Sequence, residues 1–496
     1  MLLHELVEKN LYKKSDKIAV FTENEEITYL GLCEKSSQLA NWLKRKGVKK
    51  GDRVLVYLSN CIFSLLMTMA VSKIGAIFVI VHNETKELTL KSIIDDSQPT
   101  ILISDEKLCE KCSEQMKQSF YMVGEVWKGI IDSSAEFVVE NVIPNDIISI
   151  IYTSGSTGRA KGVVSTHNNV IFSVNAIQKR LKMIETDVVG CYLPLSFDYG
   201  LYQFFLAAQV GATLALSENN TNGTTLLKKI IQWDVTCLPV IPSLANNLLM
   251  LLSRKRGKNE LNKLRIITNT GAHLPESYIQ QLTELIPQCD VFVMFGLTEC
   301  KRVSILTPDE YKVKPNSVGR PLDETECFVV DEKGMVVEND TVGELVVRGN
   351  NVMNGYWRSI DLTYEKFKPW GEGFERALFT GDMFSMDKDG YLYYHGRRDN
   401  LFKQNGFRIS TSEVEMVALS IDKVEEVVLI PKQDGQGSVM FLKGDIVFDD
   451  FMMELRTKLE DYKMPSRVVI VDNFAYTING KIDSKKMKEN YIELFK

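Results

Sequence analysis

Short apolar runs alternate with amphipathic segments along the first 145 residues. Leu32 to Lys46 has the spacing of an amphipathic helix, whereas Arg53 to Tyr57, Ile77 to Val81 and Ile101 to Ile103 are apolar runs of strand length. Strands that alternate with helices are typical of parallel βαβ units. The pattern therefore predicts an α/β fold for this part of the chain.

The longest apolar stretch, Cys61 to Val81, is interrupted by polar residues and by Gly75. A membrane-spanning helix needs about 20 predominantly apolar residues in a row. The interruptions instead predict a buried helix that ends at Gly75 and is followed by a strand, without a membrane span.

Valine alternation and turn residues mark the chain from 316 to 357, and they predict a small antiparallel barrel or sheet. The last hundred or so residues carry a separate pattern. Glu413 to Leu419 and Phe451 to Leu459 are of helical type, and Val424 to Ile430 is of strand type. The sequence thus predicts a large α/β N-terminal domain with a barrel-like subdomain, and a small C-terminal α+β domain.

Composition excludes some classes of function. A net charge of −6 leaves no basic footprint for nucleic acid. The N-terminus is acidic and amphipathic and lacks the basic region of a signal peptide. Nine cysteines, an odd number in a long chain, favour reduced thiols and a cytoplasmic location. Cys109 and Cys112 form a lone Cys-x-x-Cys pair, for which we expect no metal site.

The chemistry of the chain is concentrated in the segment from Tyr152 to Gly162. It contains four serine and threonine hydroxyls, three glycines and Lys161, and apolar strand-like runs flank it. Glycine lets backbone N–H groups approach a ligand, hydroxyls add donors and lysine adds charge. Together they are suited to a polyphosphate. The segment is not a Walker P-loop, because Lys161 is followed by Gly162 rather than by serine or threonine.

Thr153 to Gly162 resembles the phosphate-binding signature of the adenylate-forming superfamily, which includes acyl-CoA synthetases, nonribosomal-peptide adenylation domains and luciferases. Further segments resemble motifs of that superfamily in the expected order. They are Leu264–Ala272, Phe295–Glu299, Gly355–Trp357, Phe379–Asp382, Gly396–Arg408 and Thr477–Lys481. The resemblance covers essentially the whole chain.

The resemblance implies an ATP site in which each motif has its own role. Glu299 would bind Mg²⁺, Thr298 the α-phosphate, and Asp382 and Arg397 the ribose, while the face of Phe295 would stack on adenine. The residues expected beside the adenine are Gly271, Ala272, Phe295 and Gly296. The residues expected around the phosphates are Thr153, Ser154, Gly155, Ser156, Thr157, Gly158 and Lys161.

The acid substrate is expected between Phe197, Asp198, Met294 and Arg302. In amino-acid-activating relatives, an aspartate at the place of Asp198 binds the α-ammonium of the substrate. The other interpretation is a structural aspartate in a loop or at a helix cap, because Ser-Phe-Asp-Tyr-Gly also resembles ligases of acids without an amino group. Lys301 and Arg302 follow the Phe295–Glu299 motif, where such a pair is interpreted as a solvated face more often than as pocket cations.

The implied reaction has two halves. A small carboxylic acid and ATP form an acyl-adenylate and pyrophosphate with the help of Lys481, and a thiol then displaces AMP. The thiol belongs to CoA or to the phosphopantetheine of a carrier protein. The resemblance implies an N-terminal domain over 1–398 and a mobile C-terminal domain over 399–496, with Asp399 as the hinge and Gly406 in the thiol tunnel.

Two alternatives stay open at this stage. One is a stand-alone amino-acid adenylation enzyme that loads a separate carrier protein, for which Asp198 is the support. The other is a regulatory protein that senses ATP without turnover. The full set of Glu299, Asp382, Arg397 and Lys481 argues against the second.

Overall fold

The computed structural model describes residues 1–105, 119–137, 139–154, 160–218, 223–254, 261–271, 274–371, 375–398, 401–404, 407–432, 437–477 and 480–495.

The strands of the described residues make up five sheets. In chain order they are β1 Ile18–Phe21, β2 Glu26–Thr28, β3 Arg53–Leu58, β4 Ile77–His82, β5 Ile101–Ser104, β6 Phe120–Met122, β7 Ile147–Ser154, β8 Ala160–Thr166, β9 Val188–Cys191, β10 Thr213–Leu216, β11 Cys237–Val240, β12 Ile266–Asn269, β13 Asp290–Phe295, β14 Ser304–Leu306, β15 Arg320–Pro321, β16 Thr325–Val330, β17 Gly343–Gly349, β18 Gly355–Tyr356, β19 Phe367–Pro369, β20 Arg376–Met386, β21 Leu392–Arg397, β22 Leu401–Gln404, β23 Phe407–Ser410, β24 Val424–Pro431, β25 Ser438–Gly444 and β26 Arg467–Ile470.

Helices lie between most of the parallel strands. In chain order they are α1 Glu5–Glu8, α2 Leu11–Lys14, α3 Tyr29–Arg45, α4 Ile62–Ile74, α5 Glu87–Ser97, α6 Val123–Ile131, α7 His167–Leu181, α8 Asp198–Val210, α9 Thr224–Gln232, α10 Pro242–Arg254, α11 Glu276–Leu285, α12 Pro308–Val313, α13 Ile360–Lys366, α14 Thr411–Leu419, α15 Phe448–Lys458 and α16 Ser484–Asn490. Short 3₁₀ turns cover Asp461–Lys463 and Ile492–Phe495.

Two large sheets carry the N-terminal part of the chain. The first has the order β15-β14-β13-β12-β11-β9-β10-β1-β2, and its central strands are parallel. The second has the order β18-β8-β7-β4-β3-β5-β6, with a parallel centre and the antiparallel pair β7–β8 toward one edge. One continuous apolar core spans both sheets and the helices packed on them. The predicted α/β fold is confirmed.

Smaller sheets follow along the chain. Strands β16, β17, β19, β20 and β21 form an antiparallel sheet, in agreement with the predicted barrel or sheet. Strands β24, β25 and β26, with α14, α15 and α16, form the C-terminal α+β part. Its two apolar cores contain described residues from 402 onward only. The domain boundary at 398 and 399 stays a prediction.

One helix begins earlier than the sequence pattern predicted. α3 begins at Tyr29, so Gly31 lies inside the helix rather than ahead of it. The reason is Thr28, whose side-chain oxygen accepts a hydrogen bond from the Gly31 N–H at 3.0 Å and caps the helix. The predicted end of α4 is confirmed, because Gly75 is its C-cap and adopts a left-handed φ of 77°.

Candidate active site

Four parallel strands of the first sheet end at the same edge, and the loops that follow them line a cleft. β9 leads to Phe197 and Asp198, β11 to Ile241, β12 to Gly271, and β13 ends at Phe295. In open α/β sheets, ligands bind outside the carboxyl ends of the strands. Because these strands are parallel neighbours, the residues predicted to bind adenine and those predicted to bind the acid substrate lie at the same edge of the sheet.

The hairpin between β13 and β14 is the most constrained part of this cleft. A Cβ atom at Gly296 would lie 1.9 Å from the carbonyl oxygen of Lys301, so only glycine fits there. From outside the hairpin, the buried Asn351 amide donates to the carbonyl oxygens of Cys300 and Arg302, each at 3.2 Å. The turn that carries Thr298, Glu299, Lys301 and Arg302 is thus fixed from both sides.

Tyr356 connects Glu299 with the strand that follows the phosphate loop. Its hydroxyl donates to Glu299 Oε1 at 2.7 Å, and the Lys161 Nζ lies 5.9 Å from the centre of its ring. The β18–β8 pairing sets Tyr356 opposite Val163, and the β7–β8 pairing sets Lys161 opposite Thr153. No role for Tyr356 was predicted from the sequence, although the Gly355–Trp357 motif was the signal that could have found it.

Phe295 belongs to an aromatic cluster beside the cleft. Its ring centre lies 4.7 Å from that of Phe384 and 6.1 Å from that of Tyr394, and the ring is only half-buried. Edge and tilted contacts of this kind hold a ring in a fixed plane. A planar base could stack on the part that remains open.

Asp382 is a buried carboxylate with one partner. Only 2% of the residue is exposed, its Oδ1 lies 3.4 Å from Arg397 Nε, and its Oδ2 has no hydrogen-bond partner among the described residues. Burial raises the pKa of Asp382 to about 6; the Arg397 charge opposes this rise and Glu299 adds to it. A buried acceptor of this kind is complementary to a ligand that donates hydrogen bonds, as ribose hydroxyls do.

Lys481 lies on a tight loop of the C-terminal part, and this loop docks against the N-terminal part. Gly480 has φ +70°, and a Cβ there would lie 2.3 Å from Ile241 Cδ1. The Ser243 hydroxyl donates to the Gly480 carbonyl oxygen at 3.3 Å. A second contact between the two parts runs from the Tyr278 hydroxyl to the carbonyl oxygen of Glu425.

Lys481 is exposed to the cleft, with protein around most of its side chain. A Cβ at Gly271, where φ is +89°, would lie 3.9 Å from Lys481 Cε and 3.6 Å from Phe197 Cζ. Desolvation by the cleft walls lowers the pKa of Lys481; Arg397 lowers it further, and Asp198 and Asp382 oppose the shift. The lysine is therefore positioned between the predicted acid pocket and the predicted ribose residues.

Asp198, Met294 and Arg302 line one pocket. Asp198 is the first residue of α8, directly after the N-cap residue of that helix. Its Oδ1 accepts the Tyr199 N–H at 2.9 Å, so the carboxylate sits at the positive end of a helix dipole. Phe197 is the N-cap residue of the same helix.

Lys301 and Arg302 do not form a solvated face, which corrects the preferred interpretation of that pair. Lys301 is 4% exposed and Arg302 is 7% exposed. Both line the pocket with Asp198, and the Lys301 Nζ lies 3.7 Å from Asp198 Oδ2. Sequence alone could not reveal this, because their burial depends on contacts of the hairpin with Asn351 and α8.

Some predicted residues lie outside the part of the chain that the structure describes. They are Gly155, Ser156, Thr157, Gly158, Ala272, Asp399 and Gly406, together with the Cys109–Cys112 pair; for Ser154 only the backbone strand position is described.

Within the described residues, no group of three or more histidine, cysteine or acidic side chains could hold a metal ion. Magnesium is held by one or two carboxylates plus substrate phosphates, so a single Glu299 fits it.

The sequence model of AMP-binding enzymes matches residues 7–357. The chain belongs to this family. Its members are adenylate-forming ligases, so the ligase class of this AMP-binding enzyme follows from the family.

Bacitracin synthase 3 of Bacillus licheniformis is 30% identical over 500 residues, which cover 98% of this chain and 8% of that protein. This AMP-binding enzyme thus spans a small part of the length of that relative.

Two solved structures are similar in fold to this chain. VinN in complex with L-aspartate is 30% identical, with a TM-score of 0.73 over 80% of this chain and 98% of that one. The anthranilate CoA ligase AuaEII in complex with anthranoyl-AMP has a TM-score of 0.89 over 99% of this chain and 97% of that one, at 22% identity. At that identity the second likeness shows the fold alone.

None of the described helices combines the length and the apolar character needed to cross a bilayer.

Proposed function

We propose that this chain activates an amino acid as its adenylate and transfers the aminoacyl group to the phosphopantetheine thiol of a separate carrier protein. Of the alternatives that the sequence left open, this one is favoured by a single observation. Asp198 lies in the wall of the acid pocket, close enough to Lys481 to influence its pKa.

Asp198 has the properties of an anchor for an ammonium group. Its side chain is 12% exposed, so some of it is open to the pocket. The distance of 3.7 Å from its Oδ2 to Lys301 Nζ is longer than a hydrogen bond, so this pair leaves room for a closer cation. A partly buried carboxylate gains most from a cation that also donates hydrogen bonds, and an α-ammonium does both.

Relatives support both parts of the proposal. VinN, at 30% identity, was solved with an amino acid, L-aspartate. The curated relatives include adenylation domains of nonribosomal peptide synthetases such as bacitracin synthase 3. In those assemblies the acceptor is a carrier-bound thiol, which is the acceptor proposed for this chain.

For the nucleotide, we propose roles that follow the geometry of the cleft. Phe295 supplies the stacking face for adenine, and Asp382 accepts hydrogen bonds from the ribose hydroxyls beside Arg397. Lys161 and the loop before it hold the outer phosphates, and Thr298 donates to the α-phosphate. Glu299, held by the Tyr356 hydroxyl, would bind Mg²⁺, which neutralises phosphate charge when it is bound.

In the first half-reaction, a carboxylate oxygen of the amino acid attacks the α-phosphorus and pyrophosphate leaves. The chain supplies orientation and positive charge rather than covalent chemistry. The charges of both Asp198 and Asp382 act on the pKa of Lys481, and we propose that its ammonium contacts both the attacking carboxylate and the α-phosphate oxygens. There it stabilises the negative charge that develops in the transition state.

In the second half-reaction, a thiol attacks the acyl carbon, a thioester forms and AMP leaves. The contacts of the Gly480 loop with Ile241 and Ser243 support the proposal that Lys481 acts in the adenylation step. We propose that the C-terminal part then rotates about Asp399, which withdraws Lys481 and brings the Gly406 loop to the thiol path.

The test is ATP–pyrophosphate exchange with a panel of amino acids, aryl acids and fatty acids. We expect an amino acid to drive exchange, and Asp198→Asn to lower kcat/KM for it about 100-fold while the KM for ATP stays the same. The exposed Asp309→Asn serves as the control. A plain carboxylic acid that drives exchange equally well in both proteins would overturn the proposal.

The acceptor is tested separately, with free CoA and a phosphopantetheinylated carrier protein offered to the preformed aminoacyl-adenylate. Faster transfer to the carrier protein is expected. Transfer to CoA alone would instead make the chain an acid–CoA ligase, the acceptor alternative that the superfamily resemblance left open.

A further inference from the structure

The hairpin after β13 buries two consecutive cations. Lys301 and Arg302 are largely inaccessible, and Lys301 has a left-handed φ of 53°, a region that a side-chain-bearing residue rarely adopts. The two hydrogen bonds from Asn351 and the close approach at Gly296 hold the turn in this conformation. The backbone at Lys301 is therefore locally strained, and this conformation directs the side chains of the pair inward.

Both cations keep donor atoms without an acceptor. The Lys301 Nζ and the Arg302 Nε are buried and have no hydrogen-bond partner within the described part of the chain. Arg302 donates through a terminal nitrogen to the Thr270 hydroxyl, and the Lys301 Nζ stays 3.7 Å from Asp198. Buried polar groups are almost always paired, so these donors indicate a missing acceptor.

Neutral rings form much of the surroundings of the two cations. The Lys301 Nζ lies 5.5 Å from the ring centre of Tyr202, and the Arg302 guanidinium lies 5.5 Å from that of Tyr199. Such contacts stabilise a cation modestly but do not neutralise it. Burial is the largest influence on both groups and lowers the pKa of each.

The charges that line the pocket do not balance. Among the described lining residues, Lys301 and Arg302 carry positive charge and Asp198 alone carries negative charge. If the substrate ammonium binds Asp198, as proposed above, the pocket holds two cations without any carboxylate of their own. Leaving a buried cation uncompensated is costly, so the substrate should supply the anion.

We propose that Lys301 and Arg302 bind a second carboxylate of the substrate, so that the activated acid is an acidic amino acid with an ammonium group and two carboxylates. This inference rests on the proposed function. Asp198 takes the ammonium, Lys481 faces the carboxylate that is activated, and the Lys301–Arg302 pair takes the other. Guanidinium and ammonium groups that share one carboxylate give direction as well as charge.

The experiment compares matched substrates in ATP–pyrophosphate exchange. Aspartate and glutamate are each measured against the amide of the same shape, asparagine or glutamine, and against succinate, which keeps two carboxylates but lacks the ammonium. For the preferred acidic amino acid we expect kcat/KM at least about 100-fold above that of its amide. This comparison needs no variant, so it does not depend on whether a substituted protein folds.

Variants then test whether Lys301 and Arg302 cause the preference for the acidic amino acid. Lys301→Met and Arg302→Met keep side-chain length without charge, and each should lower kcat/KM for the acidic amino acid about 100-fold and leave the KM for ATP unchanged. Arg302→Lys, which keeps the charge, should recover part of the loss. Lys312→Met, at an exposed lysine, is the control.

The outcomes separate this inference from the proposed function. Preference for an uncharged amino acid would overturn the inference and leave amino-acid activation standing. Preference for succinate, with no effect of Asp198→Asn, would overturn the proposed function and with it the inference. An acidic amino acid whose advantage over its amide survives both methionine variants would also overturn the inference.

Discussion

Among the described residues, the nucleotide side of the cleft and the acid pocket differ in the charged atoms that lack a hydrogen-bond partner. On the nucleotide side the atom is an acceptor, Asp382 Oδ2, whereas in the acid pocket the charged atoms are donors, Lys301 Nζ and Arg302 Nε, beside the unpaired hydroxyl of Tyr202. Ribose hydroxyls donate hydrogen bonds and carboxylates accept them. Each region is therefore complementary in sign to the part of the substrate that is proposed to bind there.

Lys481 stands at the junction of the two regions, and its removal should produce the largest effect. Lys481→Ala is expected to lower adenylate formation about 1000-fold, because one preorganised cation at the developing charge is lost. Thioester formation from a supplied aminoacyl-adenylate should be spared. Pyrophosphate exchange and single-turnover thioester formation measure the two halves.

The matched control for this variant is Lys485→Ala, an exposed lysine in α16. Equal loss in both half-reactions would contradict the role given to Lys481.

The second prediction concerns Asp399, which lies outside the described residues. Proline there would fix φ and remove a backbone donor, so Asp399→Pro should block rotation of the C-terminal part. We expect thioester formation to fall about 100-fold while exchange changes little. Unchanged rates in both halves would show that Asp399 is not the hinge.

The third prediction tests the acceptor on the nucleotide side. Asp382→Asn should raise the KM for ATP about 30-fold, because the ribose loses hydrogen bonds to a charged group. Asp389→Asn, in the exposed turn between β20 and β21, is the control. An unchanged KM would remove Asp382 from the ribose site.

The pKa of Asp382, about 6, predicts a pH signature for the same residue. In the free protein, kcat/KM for ATP should fall as the pH drops through 6, because protonation removes the charged acceptor. Stability should change in the other direction. Because the folded pKa exceeds that of an unfolded aspartate, the folded state binds more protons between about pH 4 and 6 and gains stability as the pH falls.

The difference in Tm between the wild-type protein and Asp382→Asn isolates this stability effect from other titrating groups. A pH-independent difference would contradict the raised pKa.

Much of the nucleotide side could be predicted from sequence, and little of the acid pocket could. Phe295–Glu299 and Thr477–Lys481 are short patterns whose residues are proposed to contact the nucleotide, and they resemble family motifs closely enough to be located from the sequence alone. The burial of Lys301 depends instead on Asn351, fifty residues later, and on the packing of α8. The sequence Lys-Arg alone does not show whether the two side chains are solvated or buried.

The smallest predicted effect concerns the docking of the Lys481 loop. In Gly480→Ala, the new methyl group would overlap Ile241 Cδ1, at 2.3 Å, and the loop should shift outward. We expect adenylate formation to fall about 10-fold, because a displacement near 1 Å already misplaces a catalytic group. Thioester formation from a supplied adenylate should not change.

A second substitution separates the clash from backbone strain at the same residue. Ile241→Val removes Cδ1 and leaves the next carbon, Cγ1, 3.7 Å from the new methyl group. The double variant should therefore recover part of the lost rate, whereas the left-handed φ of +70° still costs about 1–2 kcal/mol with alanine. If the double variant is no faster than Gly480→Ala, the loop does not dock on Ile241 during adenylation, and Lys481 cannot join the two regions in the way proposed.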